Sequence, residues 1–175
     1  MTVTKANADV LDLTDAYAFT GAVSGVGKIA QVVTTITNTS ASGTTVLVGD
    51  DTIPQNTEGI EFMTLAITPT SATNTLVIDA HITGGHSAAV NLLAALFQDS
   101  TANALNVSAT RQDTANAPVG FSLRHIMTSG TTSETTFKIR AGSYSAGTMN
   151  INDRNSGSLF GGVWSSSIVI TEYTT

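Results

Sequence analysis

With 175 residues and no cysteine, the chain is long enough for one all-β domain but has no disulfide framework, thiolate nucleophile or cysteine-based zinc site. Only 11% of the residues are charged, against about 25% in an average protein, and 30 Thr and 17 Ser supply much of the polar surface. The net charge is −6, the seven basic residues are scattered, and no apolar run reaches membrane-spanning length. We therefore expect no nucleic-acid partner and no membrane insertion.

The N-terminal residues differ in pattern from the rest of the chain. Apolar residues between positions 6 and 19 fit neither the helical nor the strand period, and a glycine-rich stretch follows at 21–27. The start also lacks the basic-then-apolar order of a signal peptide. We expect residues 1–27 to be an extended attachment segment with a flexible joint, of which 1–24 contact a neighbouring protein, and residues 28–175 to be one folded domain.

Residues 28–175 alternate between short runs rich in β-branched or aromatic residues and turns rich in Gly, Asn, Asp and Ser, which indicates a sheet protein. In the first half, strands are predicted at 28–37, 44–48, 60–68, 75–83 and 90–98. A polar turn at 38–43, a loop at 52–59 and a Gly84-Gly85 turn separate them. The run at 90–98, VNLLAALFQ, does not alternate, so this strand is expected to be buried on both faces.

The second half continues with shorter strands, predicted at 104–109, 119–127, 135–141, 149–152 and 163–173. The predicted fold is all-β, an antiparallel β-sandwich of jelly-roll type in which the first and last strands lie side by side. An uncharged, hydroxyl-covered sheet is prone to self-association through its edges. The composition therefore favours an oligomer.

Two motifs resemble cofactor or metal sites without the context that such sites need. Gly25-Val26-Gly27-Lys28-Ile29-Ala30 resembles a dinucleotide fingerprint, which requires a helix where a strand is predicted here. His81, His86 and His125 occupy ordinary strand and turn positions, although a trimer could bring three copies of one histidine to its axis. We therefore predict no cofactor and no metal site.

No catalytic constellation is visible in the sequence. Asp50, Asp51 and Asp99 fall in predicted turns, and no G-x-S-x-G nucleophile elbow or evident carboxylate pair occurs. We expect a binding or structural protein with no catalytic residue, not an enzyme. Trp164 opens a predicted strand and is expected in the core or a subunit interface. Tyr144 lies in a loop with Gly and Ser, and is the side chain expected to face a ligand.

Several stretches together resemble the C-terminal β-sandwich domain of tail-fibre and other virion-fibre structural proteins of tailed bacteriophages. They are GKIAQVV at 27–33, ITPTS at 67–71, TLVI at 75–78, ALFQDS at 95–100 and the closing strand at 166–172. The resemblance implies a homotrimer in the virion that binds a host-surface glycan or protein, joined to other virion proteins through residues 1–24. It also implies assembly in the host cytoplasm, where proteins do not rely on disulfides.

Two alternative functions stay open on the sequence. A capsid or tail decoration protein would use the same uncharged sheets in a purely structural role, without a receptor. A carbohydrate-binding module would be a monomer with an aromatic platform, although only 6% of the residues are aromatic and one is Trp.

Overall fold

The computed structural model describes residues 27–154 and 159–175. Over these residues the chain is all-β, with ten strands, one 3₁₀ turn at Phe160–Gly162 and no α-helix. The strands are β1 Ile29–Thr37, β2 Ala41–Gly43, β3 Ile60–Ile67, β4 Thr75–His86, β5 Val90–Gln98, β6 Asn106–Gln112, β7 Val119–Thr128, β8 Thr135–Ser143, β9 Met149–Ile151 and β10 Ser166–Tyr173.

The strands pair in antiparallel fashion and form two sheets. The β4 sheet has the order β1-β10-β4-β7, and β9 and β2 extend it beside the last residues of β4. The β5 sheet has the order β3-β8-β5-β6. β1 pairs with β10 from Ile29–Tyr173 to Thr37–Ser166, as expected of the first and last strands. The predicted antiparallel β-sandwich is confirmed.

The core lies between the two sheets and is built from alternate residues of each strand. In β4, the side chains of Leu76, Ile78, Ala80 and Ile82 are all buried, as their alternation predicts. They form one apolar cluster with the inward side chains of β5, β8 and β10. Burial of one large aliphatic side chain contributes about 1.5–3 kcal/mol, so this cluster is the main source of stability.

β4 runs through Gly84 and Gly85 to His86, so the turn predicted at these glycines is wrong. Gly84 pairs with Ile151, and Gly85 pairs with Asn150 of β9. A Cβ atom on Gly84 would lie 2.1 Å from the carbonyl oxygen of Asn150. The missing side chain allows a neighbouring strand to approach closely, and the chain does not reverse here.

The chain between β2 and β3 also differs from the prediction. The predicted polar turn at 38–43 contains β2, which pairs with β9, and the predicted strand at 44–48 is not a strand. Residues 44–59, here named the covering segment, cross the outer face of the β5 sheet, where Leu47 is buried. The apolar residues of 44–48 therefore pack onto the face of a sheet instead of joining its edge.

β5 is buried on both faces, as its unbroken apolar run predicts. On the inner face, Leu92 and Leu96 belong to the core between the sheets. On the outer face, Leu93 and Phe97 form a second apolar cluster with Leu47 of the covering segment. The sandwich therefore has a second, smaller core outside the β5 sheet.

The remaining strand boundaries are close to those predicted. β6 begins two residues later than expected, where the amides of Ala104 and Leu105 donate hydrogen bonds to the carbonyl oxygens of Pro54 and Leu96. β10 begins three residues later than expected, because the 3₁₀ turn precedes it. The predicted attachment segment, residues 1–27, lies outside the described residues except for Gly27.

Candidate functional site

The covering segment and strand β6 enclose a groove on the outer face of the β5 sheet. Its volume is about 390 Å³, within the range of small-molecule sites. None of the described residues that line it is Lys or Arg. The lining combines apolar and polar side chains, among them Asp50, Thr52, Ile53, Asn106, Val107 and Tyr144.

Tyr144, the side chain predicted to face a ligand, forms part of the groove wall. Its ring packs so closely on Gly49 that a Cβ atom there would lie 2.0 Å from the ring atom Cε1. The residue nevertheless remains 43% exposed. Backbone contact on one side and solvent exposure elsewhere are the features of an aromatic platform. That Tyr144 contacts a ligand stays a prediction.

Two polar side chains of the groove have defined hydrogen-bond roles. The hydroxyl and the amide of Thr52 both donate to Oδ1 of Asp50, and these hydrogen bonds hold the pKa of Asp50 below its usual value. Within the described chain, Oδ2 of Asp50 makes no hydrogen bond. Nδ2 of Asn106 donates to the carbonyl oxygen of Arg124 at 2.7 Å, and its Oδ1 accepts from the amide of Val107 at 2.8 Å. The groove therefore presents an ionised carboxylate with an available oxygen and a fixed amide.

The covering segment is held in place by Glu58 and Arg140. Oε2 of Glu58 accepts from the amide of Val48 at 2.8 Å, and its Oε1 accepts from the amide of Gln55 at 3.0 Å. Nε and Nη2 of Arg140 donate to the carbonyl oxygens of Glu58 and Gly59, at 2.7 and 2.9 Å. The groove is therefore formed before any ligand binds.

We predict that Arg140→Lys lowers the free energy of unfolding by about 1–2 kcal/mol, because lysine cannot reach both carbonyl oxygens with a planar fork. Urea denaturation measures the change. Arg111→Lys is the matched control, since Arg111 is exposed and pairs only with Asp113 over the described residues. The control is expected to change stability by less than about 0.5 kcal/mol. Equal effects of the two substitutions would contradict the role given to Arg140.

The second candidate surface is the outward side of β1, β10, β4 and β7, here named the outer β4 face. One line of paired positions crosses it from Val32 through Thr171 and Val77 to Ile126. Val32 and Ile126 are 53% and 60% exposed, and Ile36 on β1 is 69% exposed. Large apolar side chains that share one exposed sheet face mark an interaction surface.

The charges on the outer β4 face neutralise each other. Arg124 donates from Nε and Nη2 to the two carboxylate oxygens of Asp79, at 2.6 and 2.9 Å. These hydrogen bonds and the charge of Asp79 raise the pKa of Arg124 further. Beside the pair, His81 contacts the hydroxyl of Ser122 at 3.1 Å through Nδ1. The face therefore carries little net charge.

Glu172 is a fully buried carboxylate at a core position of β10. Burial acts to raise its pKa, but hydrogen bonds from Gln31, Asn74 and Thr70 outweigh this effect and lower the pKa to about 2. The donor distances are 2.6 Å from Gln31, 2.7 Å from Asn74, and 2.8 Å and 2.9 Å from the amide and hydroxyl of Thr70. Glu172 has no exposed surface and both of its carboxylate oxygens accept hydrogen bonds, so it connects β10 to β1 and to the turn before β4.

His86 and Ser143 are 3.0 Å apart but do not have the geometry of a catalytic pair. The amide of Ala88 donates to Nδ1 of His86, so Nε2 carries the proton and donates to the Ser143 hydroxyl. That hydroxyl donates in turn to the carbonyl oxygen of Ser145 at 2.7 Å. Burial lowers the pKa of His86. A base would have to accept from the serine, so this buried pair is structural.

The other residues weighed in the sequence have local roles. Asp99 lies in the turn after β5, where Oδ1 accepts from the amide of Thr136 at 2.8 Å and Oδ2 from the hydroxyl of Thr135 at 2.8 Å. Trp164 is half-buried and packs edge-to-face on Phe160, with ring centroids 6.0 Å apart. The side chain of His125 is half-buried, which lowers its pKa. None of these three residues lines the groove.

The described residues include neither a metal-binding cluster nor a membrane-spanning helix. They contain no group of three or more His, Asp or Glu side chains placed to hold a metal ion. They also contain no helix that is long and apolar enough to cross a membrane.

No known protein family and no curated protein matches the chain. Several solved structures are distantly similar. The C-terminal domain of EclA, described as a sugar-binding protein, is 13% identical with a TM-score of 0.35, covering 89% of this chain and 99% of that one. The infectious bursal disease virus Gx strain structure is 16% identical with a TM-score of 0.37, covering 83% and 37%.

The enzymatically active domain of bacteriophage CBA120 tailspike protein 4 is 14% identical with a TM-score of 0.30. The match covers 71% of this chain and 19% of the tailspike, so this chain spans less than half the length of both viral structures. Because all three TM-scores are below 0.5, the likeness assigns neither a family nor a function to this chain.

Proposed function

We propose that this chain is a structural domain of a virus particle, a trimeric tail-fibre or spike-type domain that binds the surface of a host cell. The observation that carries the proposal is the outer β4 face, where Val32, Ile36 and Ile126 are exposed on one side of a sheet. The resemblance of the strand sequences to phage fibre domains supports the same assignment. In this role the protein binds and does not catalyse a reaction.

Copies of the same chain are the partners that fit the outer β4 face. The face exposes large apolar side chains, and the charged side chains Asp79 and Arg124 on it are already paired with each other. A second copy presents the same neutral surface, so association sets no unpaired like charges against each other. Covering such a face stabilises the oligomer by roughly 25 cal/mol for each Å² of apolar surface removed from water. The fibre resemblance implies three copies.

Mass measurement by light scattering tests the oligomer. We predict a species of three chains, each of 18.0 kDa, and predict that Ile126→Glu shifts the protein to a single chain because three buried carboxylates would face apolar side chains. Thr132→Glu adds the same charge to an exposed turn after β7 and is the matched control, expected to leave the trimer intact. A wild-type protein that stays monomeric at high concentration would refute the trimer, as would dissociation caused equally by both variants.

The groove favours host contact over a decoration role, because a shell protein without a receptor needs no preformed ligand site. Cell binding distinguishes these roles. Fluorescently labelled wild-type trimer is expected to bind cells of a susceptible bacterium, and particles lacking the protein are expected to lose adsorption. If such particles adsorb normally but lose physical robustness, the protein is a decoration protein instead.

A further inference from the structure

We propose that the groove beside Tyr144 binds a neutral sugar unit and discriminates against acidic sugars. This inference deepens the proposed function, because it names the chemical class that the domain contacts on the host surface.

The ring of Tyr144 forms part of the groove wall. A pyranose ring has an apolar face of C–H groups, and an aromatic ring supplies a flat apolar surface for it. Tyr144 is exposed at the groove and is supported from behind by Gly49, where no side chain intervenes. An aromatic ring whose position is fixed by the backbone loses little entropy on binding.

Hydrogen-bonding side chains line the groove together with this ring. A sugar edge carries hydroxyls that donate and accept, so it needs both kinds of partner in a small space. Oδ2 of Asp50 is available as an acceptor within the described chain, since the Thr52 hydrogen bonds use Oδ1. The hydroxyl of Thr52 can accept from a ligand while it donates to Asp50. Both side chains line the groove together with Tyr144.

The described lining of the groove carries a negative charge. Asp50 is the acidic group among the lining residues, and neither Lys nor Arg is among those described. The carboxylate of Asp50 is ionised at neutral pH, as an aspartate ordinarily is, and the hydrogen bonds from Thr52 lower its pKa further. A uronic or sialic acid would bring a second negative charge with no cation to balance it. A neutral hexose or N-acetylhexosamine meets no such repulsion.

The test is a titration of the full chain with glucose, galactose, N-acetylglucosamine, glucuronic acid and sialic acid, followed by two-dimensional NMR. We expect at least one neutral sugar to bind with a dissociation constant of about 1 mM, the affinity typical of so small a ligand. The shifted amide signals should belong to the covering segment, Tyr144 and β6. The two acidic sugars are expected to bind at least about tenfold more weakly.

Three variants examine the contacts, and one serves as the control. Tyr144→Ala is expected to weaken binding about tenfold, while Tyr144→Phe keeps the ring and most of the affinity. Asp50→Asn is expected to lower the affinity for neutral sugars and to reduce the ratio of neutral-sugar to acidic-sugar affinity. Unfolding would abolish binding of both classes and would not change this ratio selectively. Phe160→Ala removes another exposed aromatic ring away from the groove and should leave the affinity unchanged.

Three outcomes would overturn the inference. The first is that no neutral sugar binds at about 100 mM, well above the expected dissociation constant. The second is that neutral and acidic sugars bind with equal affinity. The third is that Tyr144→Ala does not weaken binding. The result is separable from the proposed oligomer, because the groove lies on the β5 sheet and the outer β4 face on the other sheet. A trimer that binds no sugar refutes the groove alone, and a sugar-binding monomer refutes the trimer alone.

Discussion

Replacing Glu172 with Gln is expected to lower the free energy of unfolding at pH 7 by roughly 3 kcal/mol. The folded-state pKa of Glu172 is about 2 against an ordinary value of 4.5, and each unit is worth about 1.4 kcal/mol of preferential interaction with the ionised form. A Gln side chain would also turn an amide N–H₂ group towards the donors of Gln31, Asn74 and Thr70. Urea denaturation of both proteins measures the difference.

The difference in stability between the wild type and Glu172→Gln should depend on pH. Because the folded-state pKa is depressed, the stabilisation by Glu172 is complete above pH 4.5 and is lost as pH falls towards 2. The wild type and Glu172→Gln should therefore converge in stability over this range. His86 also has a lowered pKa, so the unfolded chain takes up a proton at this residue more readily than the folded chain does. The free energy of unfolding of both proteins should therefore decline further as pH falls below 6.5.

Glu134→Gln is the control for this series, since Glu134 is exposed in the turn before β8. It is expected to change stability by less than about 0.5 kcal/mol at pH 7. A Glu172→Gln protein as stable as the control, or a stability gap that persists at pH 2, would contradict the role of the buried carboxylate.

Phe97→Ala is expected to destabilise the protein by about 3–5 kcal/mol, as truncation of a buried Phe usually does. Phe97 is 1% exposed although it points away from the core between the sheets, because the covering segment packs over it. Thermal and urea unfolding measure the loss. Because the covering segment also forms the groove, we expect the variant to lose sugar affinity before it unfolds.

Phe160→Ala provides the comparison, since Phe160 is mostly exposed and packs on the half-buried Trp164. It is expected to cost less than about 0.5 kcal/mol. If Phe97→Ala costs no more than Phe160→Ala, the cluster of Leu47, Leu93 and Phe97 is not a second core and does not hold the covering segment in place.

The sequence predicts the sheets of this domain better than it predicts the groove. Alternation in 75–83 and the unbroken apolar run in 90–98 identify core strands, because side-chain burial has a period of two in a strand. The turn predicted at Gly84-Gly85 is wrong because glycine is suited both to a turn and to a strand that a neighbouring strand approaches closely. The strand predicted at 44–48 is also wrong, because apolar residues that pack onto the face of a sheet have the same residue types as those that pair within it.

The groove could be predicted only in part. The sequence predicts Tyr144 as a ligand-facing residue because an aromatic ring in a loop can offer its flat apolar face, and Tyr144 does line the groove. Its neighbours Asp50 and Asn106 come from segments far apart in sequence, so no spacing rule connects them. Glu172 could have been noticed as the single acidic residue in the core-facing register of the last strand, a position that requires buried donors.

The pairing of β1 with β10 determines how the domain would carry a mechanical load. Lys28 and Thr174 are hydrogen-bonded to each other at one end of the sandwich, where the amide of Thr174 donates to the carbonyl oxygen of Lys28 at 2.8 Å. Tyr144 follows β8 at the opposite end, since β8 residue Ser143 pairs with Leu92 near the start of β5. Tension applied at Gly27 and resisted by a receptor at Tyr144 would slide β1 along β10 and strain their hydrogen bonds together. Tension between the two chain ends would instead peel the strands apart one bond at a time, so the direction of pulling decides how much force the domain withstands.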